Sequence, residues 1–231
     1  MKALARHAST SMEPRCLRLI WQNPSTRLFS EVGFLEELGT GTYTFRYAET
    51  LPSEFIPLTE FPNTEQHYVS RQLPAFFANR VMSTHRQSYD DYLSWLGLDV
   101  TMPMEILART GGSRVTDTFH VVDSFHDGCG MFFASGLSYI PDAERLLQDL
   151  ETGQELLLCD EPDNPINKMA IQLVREKSAQ LGWVPDWLVH DIHDWREYGS
   201  QVQVFVSQVN SIAPNHLKLL CQLKVSPIPG K

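Results

Sequence analysis

The chain has 231 residues and a formal net charge of −9, enough length for one large or two small domains. Its hydrophobic content of 42% suits a globular protein, and no apolar run approaches the length that crosses a bilayer. Acidity disfavours binding along a nucleic-acid backbone: 11 Lys and Arg face 14 Asp and Glu up to Ser124, and 8 face 14 beyond it, with no basic run in either half.

The opening MKALARHASTSMEPR carries charge but no apolar core, so residues 1–16 are expected to be a flexible tail rather than a secretory signal. A first strand is expected at 17–21, ended by Asn23-Pro24, and a second within 29–38. Gly39-Thr40-Gly41 then turns into 42–47, where Thr alternates with aromatic residues as in a half-buried strand. After a Pro-punctuated stretch from Pro52 to Pro62, Pro74 opens a helix over 74–81. Residues 89–96 form a helix with Tyr92, Leu93 and Leu96 on one side, stopped by Gly97. A short helix at 103–109 precedes Gly111-Gly112, and a strand at 118–122 closes the first half near Ser124.

In the second half, 141–150 reads as a helix with Ala143, Leu146, Leu147 and Leu150 on one face. The run 156–159 and the run 169–174 read as strands flanking Asp160-Glu161-Pro162-Asp163-Asn164-Pro165. Proline pushes each preceding residue to extended geometry, and Asp and Asn close turns on their own backbone. The loop should therefore be rigid, with oxygens at fixed places beside a sheet. A helix follows Pro185, carrying Trp187, Leu188, Ile192 and Trp195; the alternating 201–209 is a half-exposed strand, 217–225 a closing strand, and 227–231 a tail.

Several motifs of the second half occur in the order found in the HIRAN domain. They are Phe132-Phe133-Ala134-Ser135-Gly136-Leu137-Ser138-Tyr139, Gly153 with Leu156 and Leu158, Glu161-Pro162-Asp163-Asn164-Pro165-Ile166-Asn167-Lys168-Met169-Ala170-Ile171, and Leu181-Gly182-Trp183-Val184-Pro185. The stretch from Met131 to Val225 resembles that family. The resemblance implies a small OB-like β-barrel that captures the 3′ end of single-stranded DNA. It places the stacking aromatic at Tyr139 and the terminal hydroxyl in the loop of Asp163, Asn164, Pro165, Asn167 and Lys168. Where that family carries Tyr-Asp this chain has Ile166-Asn167, and where DNA-binding members carry Arg it has Ser138. Asn167 keeps an oxygen acceptor without the charge.

The first half, from Leu17 to Arg114, resembles the N-terminal subdomain of HipA-like kinases of bacterial toxin–antitoxin modules, through TFRY, LPAFFANR, YDDYLSWLGL and PMEILARTGG. The nucleotide-binding lysine, catalytic Asp and metal-binding Asp of the kinase lobe are not recognisable. Together the resemblances imply an α+β protein with a HipA-N-like domain at 17–124 and a HIRAN domain at 125–226. The expected function is non-catalytic: a single-stranded DNA end bound by one half, and a protein partner such as a separately encoded HipA-like kinase by the other, in a toxin–antitoxin, repair or defence setting. The alternative is a purely protein-binding regulator of such a kinase.

Four cysteines (Cys16, Cys129, Cys159, Cys221) without CxxC spacing argue against a disulfide framework and for a reduced, cytoplasmic compartment. No cofactor is expected. Two clusters could in principle hold a metal, His190 with His193, and His120, Asp123, His126, Asp127 and Cys129. Solvated helix surface and linker are the simpler readings of each, and a metal enzyme built on the second is a third hypothesis.

Overall fold

The computed structural model describes residues 15–39, 41–125, 128–175 and 179–227. The architecture is α+β, with two antiparallel sheets and short helices between them. The first sheet holds β1 (Arg15–Gln22), β2 (Phe29–Leu38), β3 (Thr42–Tyr47), β4 (Tyr68–Ser70) and β5 (Phe119–Asp123), in the order β4-β3-β2-β1-β5. Thus the 118–122 expectation lands on β5, which pairs with β1 from Leu17 opposite Asp123 to Trp21 opposite Phe119. β1 begins at Arg15 and takes in Cys16, two residues expected to lie in the tail. The expected tail residues 1–14 and 228–231 lie outside the described residues.

The proline-rich stretch is held by one hydroxyl. Tyr47, buried on β3, donates to the Phe61 carbonyl at 2.9 Å and accepts the Leu58 N–H at 2.8 Å. That satisfies two backbone groups that would otherwise be stranded beside the core of Phe45, Phe55, Phe61 and Phe77. The helix expected over 74–81 is only α1 (Ala75–Ala78), and the Glu60 carboxylate accepts the N–H groups of Ala75 and Phe76 at 2.9 and 2.7 Å. A distant acid thus does the work of a local cap. Next come α2 (Tyr89–Trp95) and α3 (Pro103–Thr110).

The second sheet holds β6 (Cys129–Phe133), β7 (Glu155–Asp160), β8 (Ile171–Arg175), β9 (Ala179–Trp183), β10 (Ser200–Val209) and β11 (Leu219–Pro227), in the order β6-β11-β10-β7-β8-β9. Its two edge strands meet: Ser135, just past β6, bridges Trp183 of β9 through Ser135 N–H to Trp183 O at 2.8 Å and Trp183 N–H to Ser135 O at 3.0 Å. This single bridge marks a sheet curled into a barrel-like body. Strand β7 makes the bend by switching partners, Glu155 and Leu156 to β10 and the residues from Leu157 to β8. α4 (Ala143–Gln148) and α5 (Asp186–Glu197) flank it, and α5 buries Leu188, Val189 and Ile192 in the barrel core. The segment LGW ends β9, and the helix starts after Pro185 as expected.

A third core joins the two sheets. Tyr89, Tyr92, Leu93 and Leu96 of the α2 region and Ile106 of α3 pack with Phe133, Ala213, Leu217 and Leu220 of the second half. Around it, Asn210 Nδ2 donates to the Trp95 and Leu217 carbonyls, both at 2.8 Å, and Gln208 Nε2 to Ser94 O at 2.8 Å. Arg18 forms an ion pair with Asp191 of α5. Leu220, fully buried here, should cost about 2–5 kcal/mol when cut to alanine. We predict that Leu220→Ala lowers the stability of both halves in one cooperative transition, read by denaturant unfolding. A first-half transition unmoved by the substitution would contradict a shared core.

Candidate functional site

Tyr139 and the 160–170 loop flank a common side chain, Trp183. Its ring lies against Gly136, which adopts a left-handed conformation (φ 73°), and a Cβ there would come within 2.4 Å of the indole. Only glycine fits, because both the backbone hand and the space exclude a side chain. Gly136 leads into a single 3₁₀ turn, Leu137–Tyr139, in which Leu137 is buried, while Ser138 is exposed and Tyr139 is 81% exposed. On the other side, Trp183 Nε1 donates to Glu161 Oε2 at 2.7 Å. One indole therefore fixes the aromatic turn relative to the loop.

The loop is cross-braced by its own groups. Glu161 Oε2 also accepts from Asn164 Nδ2 at 2.7 Å. Asn164 Oδ1 accepts the N–H groups of Ile166 (2.9 Å) and Asn167 (3.1 Å), and Asn167 Oδ1 accepts that of Met169 at 2.9 Å. Asn167 Nδ2 donates to Asp186 at the start of α5 at 2.9 Å, and His193 Nε2 donates to the Met169 carbonyl at 3.0 Å. The rigidity expected of this loop is present. Both lone pairs of Asn164 Oδ1 are spent on backbone, whereas Asn167 Oδ1 keeps one. Asp163, Pro165, Ile166 and Lys168 are exposed, and Asp163 and Lys168 have no side-chain partner among the described residues. The exposed groups next to the braced loop are thus a phenol, a serine hydroxyl, one carboxylate, one ammonium and the apolar Ile166.

The metal candidates separate. His193 holds the loop while His190 is exposed, and Asp191 is paired with Arg18. His120 and Cys129 lie on strands of different sheets, and Asp123 is bonded to Arg15 and to the Phe125 N–H. His126 and Asp127 lie outside the described residues. Among the described residues no group of three or more His, Cys, Asp or Glu side chains is placed to hold a metal ion, and no helix is long and apolar enough to cross a membrane.

The sequence shows no basic patch, but the fold assembles one. Arg27, Arg80, Arg86, Arg109 and Arg114, spread over the first half, line one cleft between the two sheets. No run of basic residues marks it: the five fall as Arg27, the pair Arg80 and Arg86, and the pair Arg109 and Arg114, and only the fold brings them together.

No family model matches the chain, and no curated protein matches it. Among solved structures, a Lactobacillus plantarum protein from a structural-genomics programme is 18% identical, covering 43% of this chain and 99% of its own, with a TM-score of 0.34. The HIRAN domain of human HLTF is 16% identical, covering 44% of this chain and 78% of its own, with a TM-score of 0.35.

The two hydrogen bonds from Asn164 and Trp183 hold the Glu161 carboxyl below its ordinary pKa. A depressed carboxylate stabilises the fold at pH above the ordinary Glu range, and that contribution disappears as pH falls through the folded value. We predict that Trp183→Phe, which keeps the ring and removes the donor, costs about 1 kcal/mol. It should also flatten the acid limb of a plot of melting temperature against pH. Hydrogen exchange at the Glu161 and Ala170 amides should quicken in the same variant; unchanged exchange would mean that the indole does not brace the loop.

Proposed function

We propose that this chain is a non-catalytic binding protein that takes the end of a single-stranded nucleic acid on the surface around Tyr139. The observation that carries this reading is a large aromatic side chain, 81% exposed, on a turn whose geometry is fixed by a buried leucine and a glycine-to-indole contact. Exposed tyrosines are ordinary, but one held rigidly beside a braced loop loses little entropy when a base stacks on it. The sequence resemblance of residues 131–225 to the HIRAN family gives the same assignment. Within this reading Tyr139 stacks on the terminal base, Lys168 and Ser138 face its phosphate, and the loop around Asp163, Asn164, Pro165 and Asn167 abuts the terminal sugar. The first half then serves a protein partner, in keeping with its resemblance to the HipA-like subdomain.

A second reading is favoured by one specific observation. The Asn164 side-chain oxygen is taken up by the loop itself, so the hold on a terminal hydroxyl implied by the family is weakened. On that reading the exposed Tyr139 and Ile166 meet a protein, and no strand end is bound.

Fluorescence anisotropy with labelled oligothymidine separates the two. We expect binding to a free 3′ end at low salt, a loss on blocking that end with phosphate, and a weakening of about 1–3 kcal/mol in Tyr139→Ala. Equal affinity for blocked and free ends, or a Tyr139→Ala variant that binds as well as the parent, would leave the protein-only reading in place.

A further inference from the structure

The cleft between the sheets has a volume of about 770 Å³ and takes walls from both halves. That lies within the range of pockets for small ligands, about 300–1,000 Å³. Its first half contributes the five arginines and His120, and its second half Ser135, Asp186, Trp187 and His216. In a protein of net charge −9, five arginines meet one carboxylate in this lining, with Asp117 and Glu105 paired to two of them from behind.

The arginines form two groups. Arg80 and Arg109 belong to the wall. Arg80 is 8% exposed, stacks over Phe76 at 4.2 Å, and bonds the Gly112 carbonyl at 2.9 Å and Asp117 at 2.7 Å. Arg109 bonds the Leu96 and Gly97 carbonyls and reaches Glu105 at 3.5 Å. These bonds do not exhaust them: Nε of Arg80, Nε of Arg109 and Nδ1 of His120 are all buried without a hydrogen-bond partner. A buried unpaired donor costs about 1–3 kcal/mol, more on a charged group, so the two guanidinium Nε atoms need an explanation; His120 Nδ1 is a further unpaired polar atom, donor or acceptor according to its tautomer. Burial lowers the pKa of Arg109 even with Glu105 opposing it, which means its charge is undercompensated. Burial, followed by the Arg80 charge, pushes His120 down to about 4, so its ring is neutral at pH 7.

Arg27, Arg86 and Arg114 form the second group. All three are exposed, and their guanidiniums have no partner among the described residues. Three unpaired forks around a wall that already lacks acceptors suit an anion of more than one charge, and the planar guanidinium matches phosphate in a bidentate way. The half-buried Trp187 and Phe29 in the same lining offer a flat apolar surface for a ring.

We propose that this cleft is a second binding site, for a nucleoside 5′-phosphate, with the phosphate met by Arg86 and Arg114 and the base against Trp187. The shared chemistry could come from a free nucleotide or from the phosphorylated 5′ terminus of a strand. Neither Tyr139 nor the 160–170 loop is part of its lining.

Isothermal titration of the full chain with inorganic phosphate, AMP, adenosine and a 5′-phosphorylated oligothymidine tests it. AMP should bind, inorganic phosphate should compete with it, and adenosine should bind at least about tenfold more weakly because it lacks the charge. Arg86→Ala/Arg114→Ala, which removes no bond found in the fold, should keep the parent melting temperature and weaken AMP by about tenfold or more. Competition with AMP by the oligothymidine only when it is 5′-phosphorylated assigns the site to a strand terminus, and lack of competition assigns it to a free nucleotide. No binding of AMP or phosphate at low salt, or equal AMP affinity in the double variant, overturns the proposal. Tyr139→Ala should leave AMP affinity unchanged, which keeps this outcome separate from that of the strand-end reading.

Discussion

The paired hydrogen bonds between Ser135 and Trp183 are the constraint on which the second half depends. They tie the end of β6 to the end of β9 and hold a six-stranded sheet in its curled, barrel-like form. Closure demands a close approach of backbones, and the two glycines beside the junction make it possible. A Cβ on Gly136 would strike the Trp183 ring, and one on Gly182 (φ 145°) would lie 2.7 Å from the Ser135 oxygen. Because the same tryptophan also donates to Glu161, the element that shuts the barrel is the element that places Tyr139 beside the loop. Fold and candidate site share one side chain.

This economy has a consequence for the loop. A proline-rich connection can be stiffened by satisfying its own polar groups or can offer those groups to a ligand, and a single oxygen cannot do both. Here stiffness wins at Asn164, whose oxygen is committed to two backbone donors, whereas Ser138, Tyr139 and Lys168 face solvent. Any ligand on this face would meet a flat, rigid platform rather than a deep polar cup. Stacking tolerates such a platform better than hydroxyl recognition does, because a base offers a π-face in any sequence.

How much of this could be read from the sequence depended on the range of the interaction involved. The alternation of Thr with aromatic residues specifies the 42–47 segment, which emerges at the expected bounds as β3, whereas the short strand expected within 29–38 fills that whole segment as β2. Turn chemistry made the stiffness of 160–165 legible, because Asn and Pro act on their nearest neighbours. The direction in which Asn167 spends its amide was not legible, since Asp186 lies two strands away. β4, three residues long, exists by pairing with β3 and carries no pattern of its own. The arginine cleft lay furthest out of reach, as charge counts along the chain are blind to residues gathered by packing.

The third core explains why the cleft has a definite shape. Apolar packing of Tyr92, Leu96 and Ile106 against Leu217 and Leu220 holds the halves together, but such contacts tolerate sliding. Direction comes from the polar bonds at the margin. Asn210 is 5% exposed and its amide bridges the Trp95 and Leu217 carbonyls, so a shift of either half would strand buried acceptors. Arg18 with Asp191 adds a partly buried ion pair, which contributes little net stability but penalises any register in which either charge is left alone. Burial thus supplies the affinity between the halves and hydrogen bonding supplies the angle. Since the arginines hang from one half and Trp187 from the other, it is this angle that sets the distance between the positive rim and the apolar wall.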